Sequence, residues 1–471
     1  MRGTRIVAVG TDHEVLNLRG PETRLVDAGG GTLAPGFVDA HAHVWKIGHL
    51  LTTLLDVRGV TSLAELAMRL RARAAQLPAD AWVSGRGYNE ALFSDGRGPT
   101  RADLDAVEAH RPVVLMRTCA HIVVCNSAAL ARAAIGPATE APPGGVIDRA
   151  PDGTPTGVLR ETAMGLVLRH VPPPTPGEYA AMITAALRHQ VSLGITATTD
   201  AGVAPDLLAV YRRMDADAAL PCRVNVMALR MIDGGGPVAL PEAPSVTPRL
   251  RVDTAKFFAD GGLSGATAAL GMPYRHADTR GVLRMEEPAF LEMARDAQAR
   301  GWRLATHAIG DVAIDQVLRV YEALAPSPVR HRIEHFGLPD ADHLRRAARL
   351  GVIAAPQTIF LHALGRNFRQ YLPDALLPRT YPVRAMLDAG VTVALSSDAP
   401  VVADDNPLAG IAAALLRQDA SGETLAPEQA ISLDEALRGM RRRGGAVASR
   451  RRAGTGPPGR RPAGRRHAAV R

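Results

Sequence analysis

Two histidines separated by one residue are the most chemically suggestive feature of this sequence. His41 and His43 stand in the apolar run Phe37–Val44, directly after Pro35 and Gly36. If the run is a strand, both imidazoles point to the same face, because side chains alternate along a strand. Two imidazoles placed in this way can chelate one metal ion. An incidental pair of histidines would look the same, so the interpretation depends on further ligands elsewhere in the chain.

The use of lysine indicates a second reactive group. The 55 basic residues include only two lysines, Lys46 and Lys256, and all the others are arginines. A primary amine can lose its proton and react, whereas a guanidinium stays protonated. A lysine in such an arginine-rich chain therefore suggests chemistry that arginine cannot perform. Lys256 is the candidate, and Lys46 is given no role.

A regular alternation of strands and helices supplies a scaffold for these residues. From Ile195 to Leu395, apolar strands alternate with helices, which indicates an α/β fold with a parallel sheet. About eight strand–helix units over roughly 400 residues favour a (β/α)8 barrel of the TIM type, with insertions, over an open doubly wound sheet. The sequence also lacks a dinucleotide-binding fingerprint, which would favour the open sheet.

The carboxyl ends of the predicted strands carry a set of metal-type side chains, and these ends are where such barrels place their chemistry. Read in order, the strand ends carry His41, His43, Lys256, His307, His335 and Asp398. Taken singly, His307 and His335 could be ordinary hydrogen-bonded histidines, and Asp398 could cap a helix. Four imidazoles, a carboxylate and an amine together suit Zn²⁺ or a similar divalent ion.

With these motifs the chain resembles the metal-dependent amidohydrolase superfamily. The resemblance is to the branch called amidohydrolase family 3, which includes N-substituted formamide deformylases, and it covers about residues 5–437. The matching stretches are Ala34–His43, Lys256–Gly261, Thr306–Asp311, His331–His335 and Ser396–Pro400. As an ordered set these stretches are highly specific.

The resemblance implies a binuclear site with two divalent metal ions, and Zn²⁺ is the expected metal. By the family pattern the ligands are His41 and His43 on the first ion, His307 and His335 on the second, Lys256 as a bridging carbamate, and Asp398 on the first ion. A lysine carboxylated by CO₂ becomes an anionic oxygen ligand, which would explain why Lys256 escapes the preference for arginine. A metal-bridging hydroxide would attack the substrate carbonyl, and Asp398 would pass its proton to the departing nitrogen.

Other polar residues stand near strand ends or in loops that we expect to face the same mouth. His121 is a second catalytic candidate that could donate to the developing oxyanion, although a structural role is equally open. Loops such as Trp82–Arg97 and Gly144–Glu161 are expected to set specificity. Glu334 precedes His335 on its strand and is expected to be a buried ion-pair partner. The expected substrate-binding residues are Asn89, Glu90, Arg117, Asp260 and Asp311.

The composition of the chain limits which binding partners and which cellular location we expect. The formal net charge is +8, but residues 438–471 contain twelve arginines and no acid, which leaves 8 − 12 = −4 for the preceding residues. We therefore expect no nucleic-acid binding by the body of the protein. Three cysteines indicate a reducing, cytoplasmic location, and no apolar run approaches the ~20 residues of a membrane span. A small-molecule amide is the expected partner, and a homodimer is left open.

The domain prediction has three parts. Residues 1–36, with strands predicted at Arg5–Val9 and Arg24–Asp27, would form part of a β-sandwich, and residues 37–437 would form the barrel with its inserted loops. Residues 438–471 form an Arg/Gly/Pro-rich tail, which we expect to be disordered. Its composition from about Met440 onward resembles a gene read out of frame, and a genuine basic tail is the alternative.

The leading function is hydrolysis of a non-peptide carbon–nitrogen bond in an amide, formamide or cyclic amide. One alternative is a non-catalytic scaffold that keeps the fold. A second alternative is a truncated or frameshifted product with impaired activity.

Overall fold

A parallel barrel of eight strands organises the computed structural model, which describes residues 2, 6–117, 122–142, 145–232, 236–263, 266–275 and 278–443. Each strand pairs with the next along the chain, and all these pairs are parallel. The barrel strands are β1 (Phe37–Ala42), β2 (Ile195–Val203), β3 (Arg223–Leu229), β4 (Leu250–Phe258), β5 (Arg303–Ala308), β6 (Arg332–His335), β7 (Ile353–Ala355) and β8 (Thr392–Val393). The predicted α/β barrel is confirmed.

Backbone hydrogen bonds close the barrel beyond the end of β8. The amide of Asp398 donates to the carbonyl of His41 at 2.8 Å, and the amide of His43 donates to the carbonyl of Ala399 at 2.7 Å. These bonds join the first and last strands at their carboxyl ends. The closure therefore places the His-x-His pair beside Asp398.

Helices connect most of the barrel strands and pack their apolar faces on the sheet. The helices between β2 and β8 are Pro205–Ala216, Glu287–Ala299, Asp311–Ala323, Ala341–Leu350, Ile359–Tyr371 and Val383–Asp388, with a 3₁₀ turn at Asp374–Arg379. After β8 come Pro407–Leu416, a 3₁₀ turn at Pro427–Gln429, Leu433–Arg438 and a π turn at Gly439–Arg443. None of the helices in the described ranges is both long and apolar enough to cross a membrane.

A second sheet is inserted between β1 and β2, where the sequence predicted barrel insertions that contain individual strands but no sheet of their own. Its strands, in spatial order, are Leu55–Asp56, Val83–Tyr88, Val113–Arg117, Ile122–Cys125, Pro155–Glu161 and Gly145–Arg149. The last two form an antiparallel hairpin. The helices of this insertion are Val44–Thr52, Leu63–Ala74, Arg101–Asp105, Ser127–Arg132, Gly165–Leu168 and Pro176–Ser192, with 3₁₀ turns at Glu90–Leu92 and Thr162–Met164. The sheet has its own buried core, including Val57, Leu70 and Leu115.

Residues 1–36 form a separate unit. Within residues 6–36 the structure has the short helix Asp12–Leu16 and no strand, so the strands predicted at 5–9 and 24–27 do not appear there. Thr11 and Glu14 form a capping box that explains the helix start. Ile6, Val9 and Val26 are exposed, so among the described residues of the two segments the apolar side chains that suggested strands are not held by packing. The assignment to part of a β-sandwich stays a prediction.

The barrel packing continues past the predicted boundary at residue 437. Met440 is buried in the barrel core, and its methyl group would lie 3.4 Å from a Cβ built on Gly410. Gly439 packs so closely that a Cβ there would lie 2.9 Å from Leu395 Cγ. Residues up to Met440 therefore pack as part of this barrel. If the tail is read out of frame, the change of frame comes after Met440. Of the tail predicted to be disordered, residues 438–443 end helix Leu433–Arg438 and form the π turn, whereas residues 444–471 lie outside the described residues.

We expect Met440→Ala to lower the free energy of unfolding by about 2–5 kcal/mol, because it leaves a cavity in the core. The measurement is the shift of the thermal midpoint. Met68→Ala is the matched control, since Met68 is exposed and its truncation should change little. Equal midpoints for the two variants would contradict the packing of Met440.

Candidate active site

One cavity of about 320 Å³ lies at the carboxyl ends of the barrel strands. All six residues predicted from strand ends as metal ligands line it: His41, His43, Lys256, His307, His335 and Asp398. The remaining wall is mostly apolar and includes Phe258, Leu263, Ile309, Phe360, Leu364, Phe368 and Val401. The topology therefore collects residues from positions 41 to 398 around one space, as the sequence predicted.

His41, His43 and Asp398 form the tightest group in the cavity. Asp398 Oδ1 lies 3.3 Å from Nε2 of His41 and 3.1 Å from Nε2 of His43. Despite these short distances, Asp398 Oδ1 is buried without a hydrogen bond of good geometry. Ligand atoms of the three residues all lie within 4.8 Å of one another, as they would around one ion. The arrangement fits a metal ion better than a hydrogen-bonded cluster.

A buried ion pair orients His41. Nδ1 of His41 donates to Glu334 Oε2 at 2.5 Å, and Arg332 donates to both oxygens of Glu334 at 2.6 and 2.8 Å. Burial would raise the pKa of Glu334, but Arg332 and His41 lower it well below its ordinary value. With Nδ1 used in this way, Nε2 of His41 keeps its lone pair for the cavity. The expected ion-pair role of Glu334 is observed, and its bond to His41 is an addition.

His335 and His307 are held in the same manner. Nδ1 of His335 donates to Gln357 Oε1 at 2.7 Å, while Nε2 of His307 donates to the carbonyl of Gly261 at 3.1 Å. The two rings lie 4.4 Å apart between centroids, and His335 lies 5.0 Å from His41. Each ring therefore has one nitrogen fixed by the protein and one left for a metal ligand bond.

The pKa shifts of His335 and His43 favour the neutral form that metal binding requires. For His41, burial and Lys256 act to lower the pKa, but Asp398 and Glu334 raise it above its ordinary value. Burial, and then the neighbouring His307, hold the pKa of His335 well below its ordinary value. Burial, and then Lys46, lower the pKa of His43 to about 4. Burial would raise the pKa of Asp398, but His41 and His43 hold it well below its usual range. Neutral imidazoles beside an ionised carboxylate are a donor set suited to a divalent cation.

Lys256 is fully enclosed at the base of this group. It lies on β4, is 1% exposed, and its Nζ is 4.8 Å from the centre of the Phe258 ring. A long cationic side chain is rarely buried so completely beside several imidazoles. The burial is consistent with a lysine that performs chemistry.

Two of the six residues adopt left-handed backbone conformations at the strand ends. His335 has φ of 67° and Asp398 has φ of 56°. Such conformations are uncommon outside glycine, and they concentrate at functional sites where the surrounding structure enforces them. Asp39 helps to enforce the second, because it accepts hydrogen bonds from the Ser397 hydroxyl at 2.5 Å and the Ser397 amide at 3.2 Å.

Most of the predicted substrate-binding residues lie away from the six predicted metal ligands. Asn89, Glu90 and Arg117 lie in or beside the inserted sheet, and none of them is among the described residues that line the cavity. Glu90 and Arg117 form an ion pair with each other at 2.8 Å. Their substrate-binding role stays a prediction that this geometry does not support. His121 lies outside the described residues.

Asp260 and Asp311 support loops instead of lining the described part of the cavity. Buried Asp260 accepts hydrogen bonds from the amides of Ala269, Ile309 and Gly310, at 2.7 to 3.0 Å. Asp311 starts a helix and accepts from the Gly271 amide at 2.9 Å. With its oxygens engaged by backbone, Asp260 is better placed to hold the loops beside His307 than to contact substrate.

Sequence reasoning missed Gln357 and the apolar wall contributed by helix Ile359–Tyr371. Gln357 follows the end of β7, which was a signal available in the sequence. It is fully buried, and its amide also donates to Ala355 O and Ser396 Oγ, both at 2.8 Å. Lys46 was given no role, yet it also lines the cavity.

Because Gln357 fixes the ring of His335, we expect Gln357→Met to weaken metal binding by about 10–100-fold. The measurement is the metal dissociation constant from competition with a chelator. A thermal melt of the same variant shows whether the fold is kept. Unchanged metal affinity in a stable Gln357→Met protein would mean that Gln357 does not orient a ligand.

The chain is similar to known proteins over most of its length. Residues 24–458 match the family described as the amidohydrolase family. YtcJ of Bacillus subtilis strain 168, whose name assigns it provisionally to the amidohydrolases, is 33% identical over 407 residues, or 84% of this chain and 76% of YtcJ. The N-substituted formamide deformylase of Arthrobacter pascens is 29% identical over 463 residues, or 93% of this chain and 83% of that protein. A crystal structure of an uncharacterized metal-dependent hydrolase from Pyrococcus furiosus, 26% identical, matches with a TM-score of 0.72 over 88% of this chain and 82% of that one.

The barrel has the fold of a metal-dependent hydrolase, and the group of His41, His43 and Asp398 could hold a metal ion. The chain belongs to the amidohydrolase family, which confirms the resemblance seen in the sequence. It is therefore a hydrolase that acts on carbon–nitrogen bonds of small molecules.

Proposed function

We propose that this protein hydrolyses a non-peptide carbon–nitrogen bond in an amide, formamide or cyclic amide, with two Zn²⁺ ions. The observation that carries the proposal is the single cavity lined by four histidines, a lysine and an aspartate from five parts of the barrel. Its volume of about 320 Å³ is at the small end of ligand sites, which favours a small molecule over a folded polypeptide. The similarity to an N-substituted formamide deformylase supports the same class of bond.

The proposed ligands fall into two groups. His41, His43 and Asp398 would hold one ion, and His307 and His335 the other. When bound, the ions would lower the pKa of the attacking water and polarise the substrate carbonyl. Three of the four rings, those of His41, His307 and His335, are oriented by their own hydrogen bonds, so these ligands would need little reorganisation when a cation enters.

Lys256 would join the two groups. Its neutral amine would form a bond to the carbon of CO₂ and release one proton, which gives a carbamate anion with two oxygen ligands. That anion would offset the positive charge of the ions inside a buried site. The near absence of lysine elsewhere in the chain and the enclosure of Lys256 both support this role.

Asp398 would move the proton. Burial would raise the pKa of its carboxyl group, but His41 and His43 hold that pKa well below its usual range, and the resulting carboxylate would accept a proton from the attacking water. It would then deliver this proton to the nitrogen of the breaking bond, so that the amine leaves uncharged. The apolar wall formed by Phe360, Leu364 and Phe368 would exclude bulk water from this exchange. The cytoplasmic location stays our prediction from the low cysteine content.

Metal analysis combined with a substrate panel tests the proposal. We expect about two tightly bound ions per chain, loss of turnover on chelation, and recovery with Zn²⁺. The panel would contain N-substituted formamides, N-acyl amino acids and lactams. Less than one ion per chain together with no turnover of any amide would favour a non-catalytic scaffold.

A further inference from the structure

The Tyr381 hydroxyl is a polar group of the cavity that the proposed reaction leaves unused. Tyr381 follows the 3₁₀ turn Asp374–Arg379, is 1% exposed and lines the 320 Å³ space. Apart from the proposed metal ligands and Lys46, it supplies the only polar side-chain group in the described lining. A substrate in this space would therefore meet this hydroxyl among otherwise apolar walls.

Other buried tyrosines of the chain use their hydroxyls within the protein. The hydroxyl of Tyr211 donates to Asp200 Oδ2 at 2.6 Å, and that of Tyr274 donates to Ala268 O at 3.0 Å. Among the described residues, by contrast, none forms a hydrogen bond with the Tyr381 hydroxyl. Because buried hydroxyl groups normally find a partner, this donor is available to a molecule in the cavity.

The backbone and the ring of Tyr381 are both held in place. Its backbone is left-handed, with φ of 46°, its amide donates to Gly337 O at 2.7 Å, and buried Arg417 donates to its carbonyl at 3.1 Å. The ring packs between Phe360 and Phe368, with centroid distances of 6.1 and 6.0 Å. The position of the hydroxyl is therefore set before a substrate enters.

Tyr381 shares its reaction space with the proposed proton carrier. Asp398 also lines the cavity, and it has the same left-handed backbone conformation, which concentrates at functional sites. Burial, and then the negative charges of Asp398 and Asp260, raise the pKa of Tyr381 above its ordinary value. The phenol is thus protonated at neutral pH and can donate a hydrogen bond.

We propose that Tyr381 is a catalytic residue whose hydroxyl donates a hydrogen bond to the substrate carbonyl oxygen as negative charge develops there. The inference rests on the proposed function and adds a residue to it. When the oxygen of water bonds to the carbonyl carbon, the π pair of the C=O bond moves onto the carbonyl oxygen, and Tyr381 stabilises this charge without losing its proton. The pair returns to the C=O bond as the C–N bond breaks, and the nitrogen takes its proton from Asp398.

An isosteric variant tests the hydroxyl without disturbing the packing. Tyr381→Phe removes the hydroxyl and keeps the ring between Phe360 and Phe368. Tyr179→Phe is the matched control, because Tyr179 is half-buried on helix Pro176–Ser192 and is absent from the described cavity lining. Metal content and a thermal melt are measured for both variants, so that a disturbed metal site or fold is recognised.

Steady-state kinetics separate a catalytic role of Tyr381 from a structural one. With the best amide of the panel, we expect Tyr381→Phe to lower kcat about 100-fold and to change KM less than about threefold, because the lost bond is strongest in the transition state. Tyr179→Phe should keep wild-type kinetics, and both variants should keep their metal. Unchanged kcat, a change confined to KM, or a loss of activity that parallels a loss of metal would overturn the proposal.

Binding of phenylphosphinate separates this proposal from the proposed function. This small anion carries tetrahedral phosphorus on an apolar ring, so it resembles a charged tetrahedral intermediate without containing an amide bond. By calorimetry with metal-loaded protein, we expect its dissociation constant to rise about tenfold in Tyr381→Phe and to stay unchanged in Tyr179→Phe. Equal affinities of wild type and Tyr381→Phe, or no binding to either, would contradict the proposal. If wild type turns over no amide while this difference in affinity is found, the proposed function fails, and the role of Tyr381 as a donor to a tetrahedral anion stands.

Discussion

Lys256→Arg should bind fewer than two metal ions per chain and lose at least about three orders of magnitude in kcat/KM. Arginine keeps the charge and the approximate length, but its guanidinium cannot lose a proton to react with CO₂. It would also bring a permanent cation into a buried space beside His41, His307 and His335, where it would repel the ions. The measurements are metal stoichiometry and steady-state kinetics with the best substrate of the panel.

Chemical rescue of Lys256→Ala tests whether the group that Lys256 supplies is a carbamate. In Lys256→Ala the removed side chain leaves space, so a short carboxylic acid added to the buffer should supply the missing oxygen ligands and restore part of the activity. Arg212→Met serves as a control for the loss of a positive charge without loss of a ligand, because Arg212 is exposed on helix Pro205–Ala216 and is not among the described residues that line the cavity. Full activity in Lys256→Arg, or the absence of any rescue in a stable, metal-binding Lys256→Ala, would contradict a bridging carbamate.

The parts of the site that were predictable from sequence are those fixed by local periodicity and by the end of a strand. His41 and His43 share a face because the strand period is two. His307 and His335 end apolar strands, and parallel strands of a barrel bring such ends to one edge. The metal-type residues could therefore be named from order and spacing before any distance was known.

The supporting residues depend on three-dimensional contacts that no local pattern contains. Glu334 meets His41 across 293 residues of sequence, and Gln357 meets His335 across 22. The inserted sheet was missed as a sheet because its strands are short and pair out of chain order, with Pro155–Glu161 lying between Ile122–Cys125 and Gly145–Arg149. Loops expected to shape the cavity proved to be part of that sheet, whereas helix Ile359–Tyr371 supplies the apolar wall.

Lys46 illustrates a different limit. Its spacing from His43 was visible, but whether a side chain on the first turn of a helix faces solvent or a cavity depends on how that helix leaves the barrel. The rarity of lysine applied equally to Lys46 and Lys256. The structure supplies the position of Lys46 beside the cavity, which its spacing in the sequence did not.

Asp398→Asn should keep at least one metal ion and lose about three orders of magnitude in kcat, since an amide cannot accept and return a proton. The fold should be kept, because asparagine has nearly the same shape and tolerates the left-handed conformation at φ 56°. The backbone amide of Asp398 would still donate to His41 O and close the barrel. Metal stoichiometry, a thermal melt and kcat measured at saturating metal distinguish these effects.

The two possible roles of Asp398, as a metal ligand only or also as a proton carrier, predict different responses of Asp398→Asn to added metal. Loss of a ligand alone would weaken metal affinity and would be corrected by adding more metal, whereas loss of the proton carrier would persist at any metal concentration. Asp105→Asn provides a matched control, because Asp105 makes hydrogen bonds to Ser127 and is absent from the described cavity lining. If excess Zn²⁺ restores wild-type kcat to Asp398→Asn, then Asp398 only holds the ion, and the proton must travel by another group at the mouth of the barrel.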